Sequence, residues 1–199
     1  MKNSGTGRLV FATNNRHKIK ELQELIGQRI QLLSPADLGF TEEIPEEANT
    51  LEGNAAQKAF FVYAALGINC FADDTGLEIE ALNGAPGVFS ARYAGKNCSF
   101  DDNMNKVLAS MKGETNRKAC FRTVIALVEN GKLTDFQGKI CGQILDGKRG
   151  LRGFGYDPIF LPDGFDRTFA EMDLSEKNRI SHRALAVQKL IDYLEMQYF

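Results

Sequence analysis

Two short apolar runs, RLVFAT at residues 8–13 and INCFA at residues 68–72, each stop at a cluster of polar residues. That arrangement restricts the fold more than any other feature of the chain. Runs of this length, bounded by polar residues, read as buried strands. After the first run, Asn14-Asn15-Arg16-His17 leads into Ile19, Leu22, Leu25 and Ile26 at helical spacing, with Gly27 as the stop. Residues 30–33 then offer a second strand. Before the apolar run at 68–72, Leu51, Ala55, Ala59, Tyr63 and Leu66 mark a longer helix that ends at Gly67. Strands that alternate with helices in this way build βα units.

The rest of the chain changes character. Residues 77–82 alternate like a strand, residues 83–87 carry turn chemistry, and Met104, Val107, Leu108 and Met111 give residues 99–112 the stripe of a helix. Residues 118–145 read as strands around an Asn130-Gly131 turn, an antiparallel hairpin or meander. Residues 158–161 form another short strand. A C-terminal helix carries Ile180, Ala184, Val187, Ile191 and Leu194. The segment at 39–49, with Glu42, Glu43, Glu46 and Glu47, reads as an acidic loop. The expected class is α/β, with a central mixed β-sheet flanked by helices and a single domain over residues 1–199.

Composition narrows the function. The chain has 43% hydrophobic and 25% charged residues, an ordinary globular balance, and its net charge of −2 gives no broad basic surface for nucleic acid. An anionic ligand must therefore be held by a local cluster of cations. The apolar run near the N-terminus is too short for an export signal, and no stretch approaches membrane-span length, so a cytoplasmic protein without a membrane partner is expected. Cys70, Cys98, Cys120 and Cys141 are widely spaced without a CxxC pair, which argues against zinc and for reduced, part-buried thiols.

Four motifs could carry chemistry. Thr13-Asn14-Asn15-Arg16-His17-Lys18 joins a strand to a helix N-terminus, where backbone N–H groups and a partial positive charge suit phosphate. Asp73-Asp74-Thr75-Gly76 follows an apolar run, and paired carboxylates at a strand end suit Mg²⁺, although they could equally form a turn. Gly153-Phe154-Gly155-Tyr156-Asp157-Pro158 offers a ring between glycines that could stack a base, with Asp157 to accept from a ring N–H. The stretch from Ser175 to Arg183 concentrates Lys177, Arg179, His182 and Arg183 near a helix start, where the dipole disfavours cations unless an anion or polar ligand compensates. A solvated, salt-bridged face is the plainer reading of that run.

Together and in this order, FATNNRHKIKEL, LEGNAAQKA, FADDTGLEIEALNGAPGVFSARYAG, GFGYDPIF and SEKNRISHRALA resemble the inosine triphosphate pyrophosphatase family, the dITP/XTP pyrophosphatases. The resemblance covers essentially the whole chain. It implies an elongated α/β fold with two lobes around an active-site cleft, and a homodimer. It also implies Mg²⁺-dependent hydrolysis of ITP, dITP and XTP to the monophosphate and pyrophosphate, which clears deaminated purines from the nucleotide pool. By position, Thr13, Asn14, Asn15, Arg16, His17 and Lys18 would hold the triphosphate with help from Lys58, and Thr75 would sit beside the phosphates. Asp74 matches the general base and, with Glu46 and Asp73, the metal ligands. Phe154, Gly155, Tyr156, Asp157, Lys177, His182 and Arg183 match the base-binding set. One stretch departs from the family pattern: Gly53 stands before Asn54-Ala55 where many members have Glu. Glu46 is the best match for the metal-binding Glu of the acidic loop, with Glu47 the alternative.

Overall fold

The computed structural model describes residues 7–27 and 30–198. The expectation that the chain begins without an export signal rests partly on residues outside that range. The chain begins with β1 (Gly7–Phe11), α1 (Arg16–Ile26) and β2 (Ile30–Leu33), then continues through α2 (Leu51–Leu66) to β3 (Cys70–Ile79). A two-residue strand β4 (Pro86–Gly87), helix α3 (Phe100–Ser110) and the long strands β5 (Lys118–Glu129) and β6 (Lys132–Ile144) follow. The chain closes with β7 (Phe160–Pro162), α4 (Leu174–Ile180) and α5 (His182–Tyr198). The strands form one sheet in the order β2-β1-β3-β5-β6-β7, with β4 paired to β3. Pairing of β1 with β2 and with β3 is parallel, whereas β3–β4 and β6–β7 are antiparallel, so the sheet is mixed as expected.

The elements have local causes. Asn15 caps α1 by accepting from the His17 and Lys18 amides, and Gly27 ends it at a positive φ of 72°. Thr50 caps α2 through the Gly53 amide, and Gly67 ends it in the left-handed region. Asn130 and Gly131 both have positive φ, 51° and 76°, which is what a tight two-residue hairpin turn between β5 and β6 requires.

The chain divides into two compact units, each with its own core. The first comprises residues 1–74, 124–137 and 184–199. There Leu22 and Ile26 of α1 and Val187, Leu190 and Leu194 of α5 pack with Phe11 and Phe71, whose rings stack at 4.6 Å. The second comprises residues 75–123 and 138–183. Its core joins Met104 and Val107 of α3, and Met111 just past its end, to Leu77, Phe121, Phe160, Phe169 and Met172.

Four expectations need correction. The run at 68–72 does not end in a turn at Asp73: β3 continues through Asp73-Asp74-Thr75-Gly76 to Ile79, and a 3₁₀ turn at Glu80–Leu82 replaces the expected end of a separate strand. Neighbouring strands and side-chain partners for both carboxylates override the local turn preference. The single C-terminal helix is two, because Ser181 adopts extended backbone (φ −66°, ψ 151°) and separates Ile180 from His182. The strand expected at 158–161 begins at Phe160, after a 3₁₀ turn at Asp157–Ile159. Finally, Cys120 and Cys141 are joined in a disulfide rather than left as thiols, while Cys70 and Cys98 are free. The two strands that flank the Asn130-Gly131 turn bring these cysteines to a Cα–Cα distance of 4.0 Å, which their 21-residue separation in sequence hides.

Candidate functional site

In the first unit, chemistry gathers where β1 stops. Parallel pairing of β1 with β3 ends at Phe11 and Phe71, so Asp73 and Asp74 extend past the last paired residues. Ligands of open α/β sheets bind at this carboxyl end. Lys18, on the first turn of α1, places its Nζ 2.8 Å from Asp73 Oδ1, and the Asp73 side chain has no solvent exposure. Asp74 belongs to a different set. Its Oδ2 accepts from Asn54 Nδ2 at 3.0 Å, and its Oδ1 lies 3.7 Å from Lys58 Nζ. Lys58, 4% exposed, also donates to Glu46 Oε1. Of the two candidate glutamates it is therefore Glu46 that meets Lys58, whereas the Glu47 amide donates to Gln57 at 2.9 Å.

Asn54 is not among the site residues expected from the sequence, although a signal for it exists. It lies four residues before Lys58, hence on the same face of α2. Its Oδ1 accepts from the Ala48 amide at 2.8 Å, which ties the acidic loop to the helix that supplies Lys58. Charge balance in this cluster is set by burial against pairing. Burial pushes the Asp74 carboxyl above its ordinary value, and Lys58, Lys18 and the Asn54 hydrogen bond only partly offset that. Burial also works against the Glu46 carboxylate, but the Lys58 charge and hydrogen bond reverse it and hold Glu46 below its usual range. For Lys58, the burial penalty is outweighed by Asp74, Glu46 and Asp73, so the ammonium is held above its usual value.

Thr13, Asn14, Asn15, Arg16 and His17 surround the start of α1, exposed except for the half-buried Thr13. The amides expected to cradle phosphate are in part already used. Asn15 Oδ1 takes those of His17 and Lys18 at 3.0 and 3.2 Å, and Thr13 Oγ1 accepts from the Asn15 amide at 3.2 Å.

The second unit holds the other set of candidates. The basic run at 175–183 is only in part a solvated face: Arg179 is exposed, whereas Lys177, His182 and Arg183 are 4%, 4% and 2% exposed. Lys177 Nζ pairs with Asp157 Oδ2 at 2.8 Å, and the same oxygen accepts from the Phe154 amide at 3.0 Å. Lys177 Nζ and Arg183 Cζ stand 4.9 and 5.5 Å from the centre of the Phe154 ring, within cation–π range. His182 stacks on Phe121, with centroids 4.6 Å apart and planes within 12°. Phe121 lies in the first of the strands expected over residues 118–145, and nothing in the sequence indicates which ring it meets. Thr75 Oγ1 lies 2.8 Å from Thr123 Oγ1 and accepts from Arg183 at 3.4 Å.

The GFG segment works differently from expectation at one glycine. Gly153 has φ of 76°, and a Cβ there would lie 2.0 Å from Asp157 Oδ2, so its lack of a side chain makes room for the buried carboxylate. Tyr156 is turned into the core and donates to the Ser90 carbonyl at 2.8 Å, and burial raises its phenol above the ordinary value.

Charged side chains gathered past the end of a parallel strand pair, and cations around a half-buried ring, sit on a mixed sheet flanked by helices, which defines the class: an α/β protein. Comparisons give the particular family. The Ham1 family model matches residues 9–193. A dITP/XTP pyrophosphatase of Flavobacterium johnsoniae is 54% identical over 187 residues, 94% of this chain and 97% of that protein. One from Porphyromonas gingivalis is 51% identical over 188 residues, again 94% and 97%. Among solved structures, the Ham1 protein of Staphylococcus aureus matches with a TM-score of 0.88 at 38% identity, covering 96% of this chain and 99% of that one. A HAM1 protein from Coxiella burnetii gives 0.89 at 40%, with the same coverage. The chain belongs to the Ham1 family.

Proposed function

We propose that this chain hydrolyses deaminated purine nucleoside triphosphates (ITP, dITP and XTP) to the monophosphate and pyrophosphate. One observation carries the proposal: relatives about half identical over nearly the full chain bear the name dITP/XTP pyrophosphatase. The chemistry of the residues supports it. Asp74, raised by burial, suits a base that accepts a proton from the attacking water as it adds to the α-phosphorus. Lys18 and Lys58 would bind the phosphate tail and neutralise the departing pyrophosphate, with the half-buried Thr13 and the exposed Asn14, Arg16 and His17 around it.

Mg²⁺ fits these residues. Glu46 and Asp74 both converge on the Lys58 ammonium, so their oxygens already face one cation. Among the described residues, no three His, Cys, Asp or Glu side chains cluster as a self-sufficient metal cage. Mg²⁺ commonly takes one or two carboxylates and completes its shell with water and substrate phosphates, which the Glu46 and Asp74 pair would allow. Glu46 and Asp74 would hold the ion, with Asp73 fixing Lys18 beside them. Bound there, the ion would supply Lewis-acid polarisation of the phosphate oxygens.

In the base pocket, Phe154 would stack the purine. His182 or Arg183 would supply a donor toward O6, for which the amino group of adenine offers no acceptor. Release of pyrophosphate from ITP, XTP, dUTP and ATP, with and without Mg²⁺, tests the proposal. Mg²⁺-dependent release from ITP and XTP well above the other two is expected. Preference for dUTP, or binding without turnover, would overturn it. The homodimer implied by the sequence resemblance is proposed as well, and light scattering should return twice the chain mass.

A further inference from the structure

We propose that Phe100 is a positioning residue for Phe154; this rests on the reading of Phe154 as the ring that stacks the base. Phe100 opens α3 and lies outside every motif that the sequence singled out. Its ring centroid is 6.1 Å from that of Phe154, with the planes tilted by 42°, a separation at which aromatic pairs attract. It keeps this contact while 48% exposed, so packing into a core does not account for its place.

The turn that carries Phe100 is held firmly. Ser99 and Asp102 form a reciprocal capping box, with hydrogen bonds of 2.7 to 3.1 Å. Asp101 pairs with Lys148, which belongs to the loop that leads from β6 to Phe154, and accepts from Asn105 at 3.1 Å. α3 and this loop are therefore joined twice, once by the ion pair and once by the two rings.

Phe154 needs such a support. It is half-buried and stands between Gly153 and Gly155, both at positive φ (76° and 66°), so its immediate neighbours offer no side chains to restrain the ring. Lys177 and Arg183 approach the ring, but both are also engaged elsewhere, Lys177 with Asp157 and Arg183 with Thr75. A ring that samples several rotamers must be ordered when a base stacks on it, and that ordering weakens binding. Phe100 removes part of this cost before the nucleotide arrives. Its effect belongs to recognition of the base and not to the phosphate chemistry.

The test is steady-state kinetics of the full chain with ITP and Mg²⁺ for Phe100→Ala, Phe100→Tyr, Phe154→Ala and the Phe100→Ala/Phe154→Ala pair. Phe100→Ala should raise KM about 3- to 10-fold, with kcat within about twofold, the size expected for losing one pre-ordered side chain. Phe100→Tyr should restore KM. In the Phe154→Ala background, Phe100→Ala should add nothing, because it acts through the ring already removed. Inhibition by inorganic pyrophosphate, which has no base, should be unchanged. A wild-type KM for Phe100→Ala, independent effects in the double variant, or a matching loss of pyrophosphate inhibition would each overturn the proposal. If Phe154→Ala itself keeps a wild-type KM, the stacking role of Phe154 falls instead. A raised KM for Phe154→Ala beside an unaltered Phe100→Ala removes Phe100 alone.

Discussion

Lys177 and Asp157 are 4% and 3% exposed, and each is tolerable there only because of the other. Removing one partner of a buried pair leaves a stranded charge, whereas removing both need not cost much. Lys177→Met should therefore lower unfolding free energy by about 3 to 5 kcal/mol, while Lys177→Met combined with Asp157→Asn recovers a good part of it. Urea unfolding of the single and double variants measures this, and strictly additive losses would show that the pair is not coupled. Asp74 poses a different question, since it sits 3.7 Å from Lys58 and the role proposed for it is chemical. Asp74→Asn keeps the shape and the Asn54 contact but removes the proton acceptor. Turnover of ITP should drop by about 10²-fold or more with nucleotide affinity largely retained. Near-normal kcat in that variant would remove Asp74 from the assigned role. The residue types at both clusters were legible in the sequence because acidic pairs and basic runs are conspicuous. Their burial was not: a run of Lys, Arg and His reads as solvated until Phe154, Phe121 and Asp157, brought from distant segments, close around it.

At the scale of elements, the loop between β6 and the 3₁₀ turn at Asp157–Ile159 depends on one backbone conformation. Gly153 combines a positive φ with a Cβ position 2.0 Å from a carboxylate oxygen that cannot retreat without breaking the Lys177 pair. Gly153→Ala should cost more than the roughly 1 kcal/mol typical of forcing a side chain into the left-handed region. Gly155→Ala, at a similar φ but with no atom within 4 Å of its Cβ position, should cost only about that much. Thermal melts of the two variants separate steric conflict from backbone strain; equal shifts would contradict the contact with Asp157. α1, α2 and the β5–β6 hairpin were readable because cap, period and turn residues agree with one another. β3 was not. Asp73-Asp74-Thr75-Gly76 has the composition of a turn, and it stays extended because Lys18, Asn54 and Thr123 supply partners from distant segments. The break at Ser181 was hidden for the opposite reason. Ile180 and Ala184 keep helical spacing across it, so periodicity cannot register a single extended residue.

For the molecule as a whole, its four cysteines report on the folded state, since they occupy three different environments. Cys120 and Cys141 are joined, Cys98 is half-exposed, and Cys70 is fully buried with its Sγ 3.1 Å from the Ala59 carbonyl. Burial pushes the Cys70 thiol from 9.0 up to about 12. Because the folded value is the higher one, the neutral thiol favours the native state, and that contribution is complete below about pH 9. It fades as pH rises from 9.0 towards about 12, where the unfolded chain ionises first. Over that window one proton tilts stability by at most about 1.4 kcal/mol per pH unit. Wild type should thus lose stability toward alkaline pH faster than Cys70→Ala does, whatever their difference at neutral pH. Alkylation followed by mass measurement gives an independent check. Without reductant the native chain should take up one label, at Cys98; denaturation should expose Cys70 as a second, and reduction the remaining pair. Four labels on unreduced, denatured protein would mean that the strands flanking the Asn130-Gly131 turn bring Cys120 and Cys141 together without joining them. Rapid labelling of Cys70 in the native chain would mean that the junction of α2 and β3 opens far more readily than its burial implies.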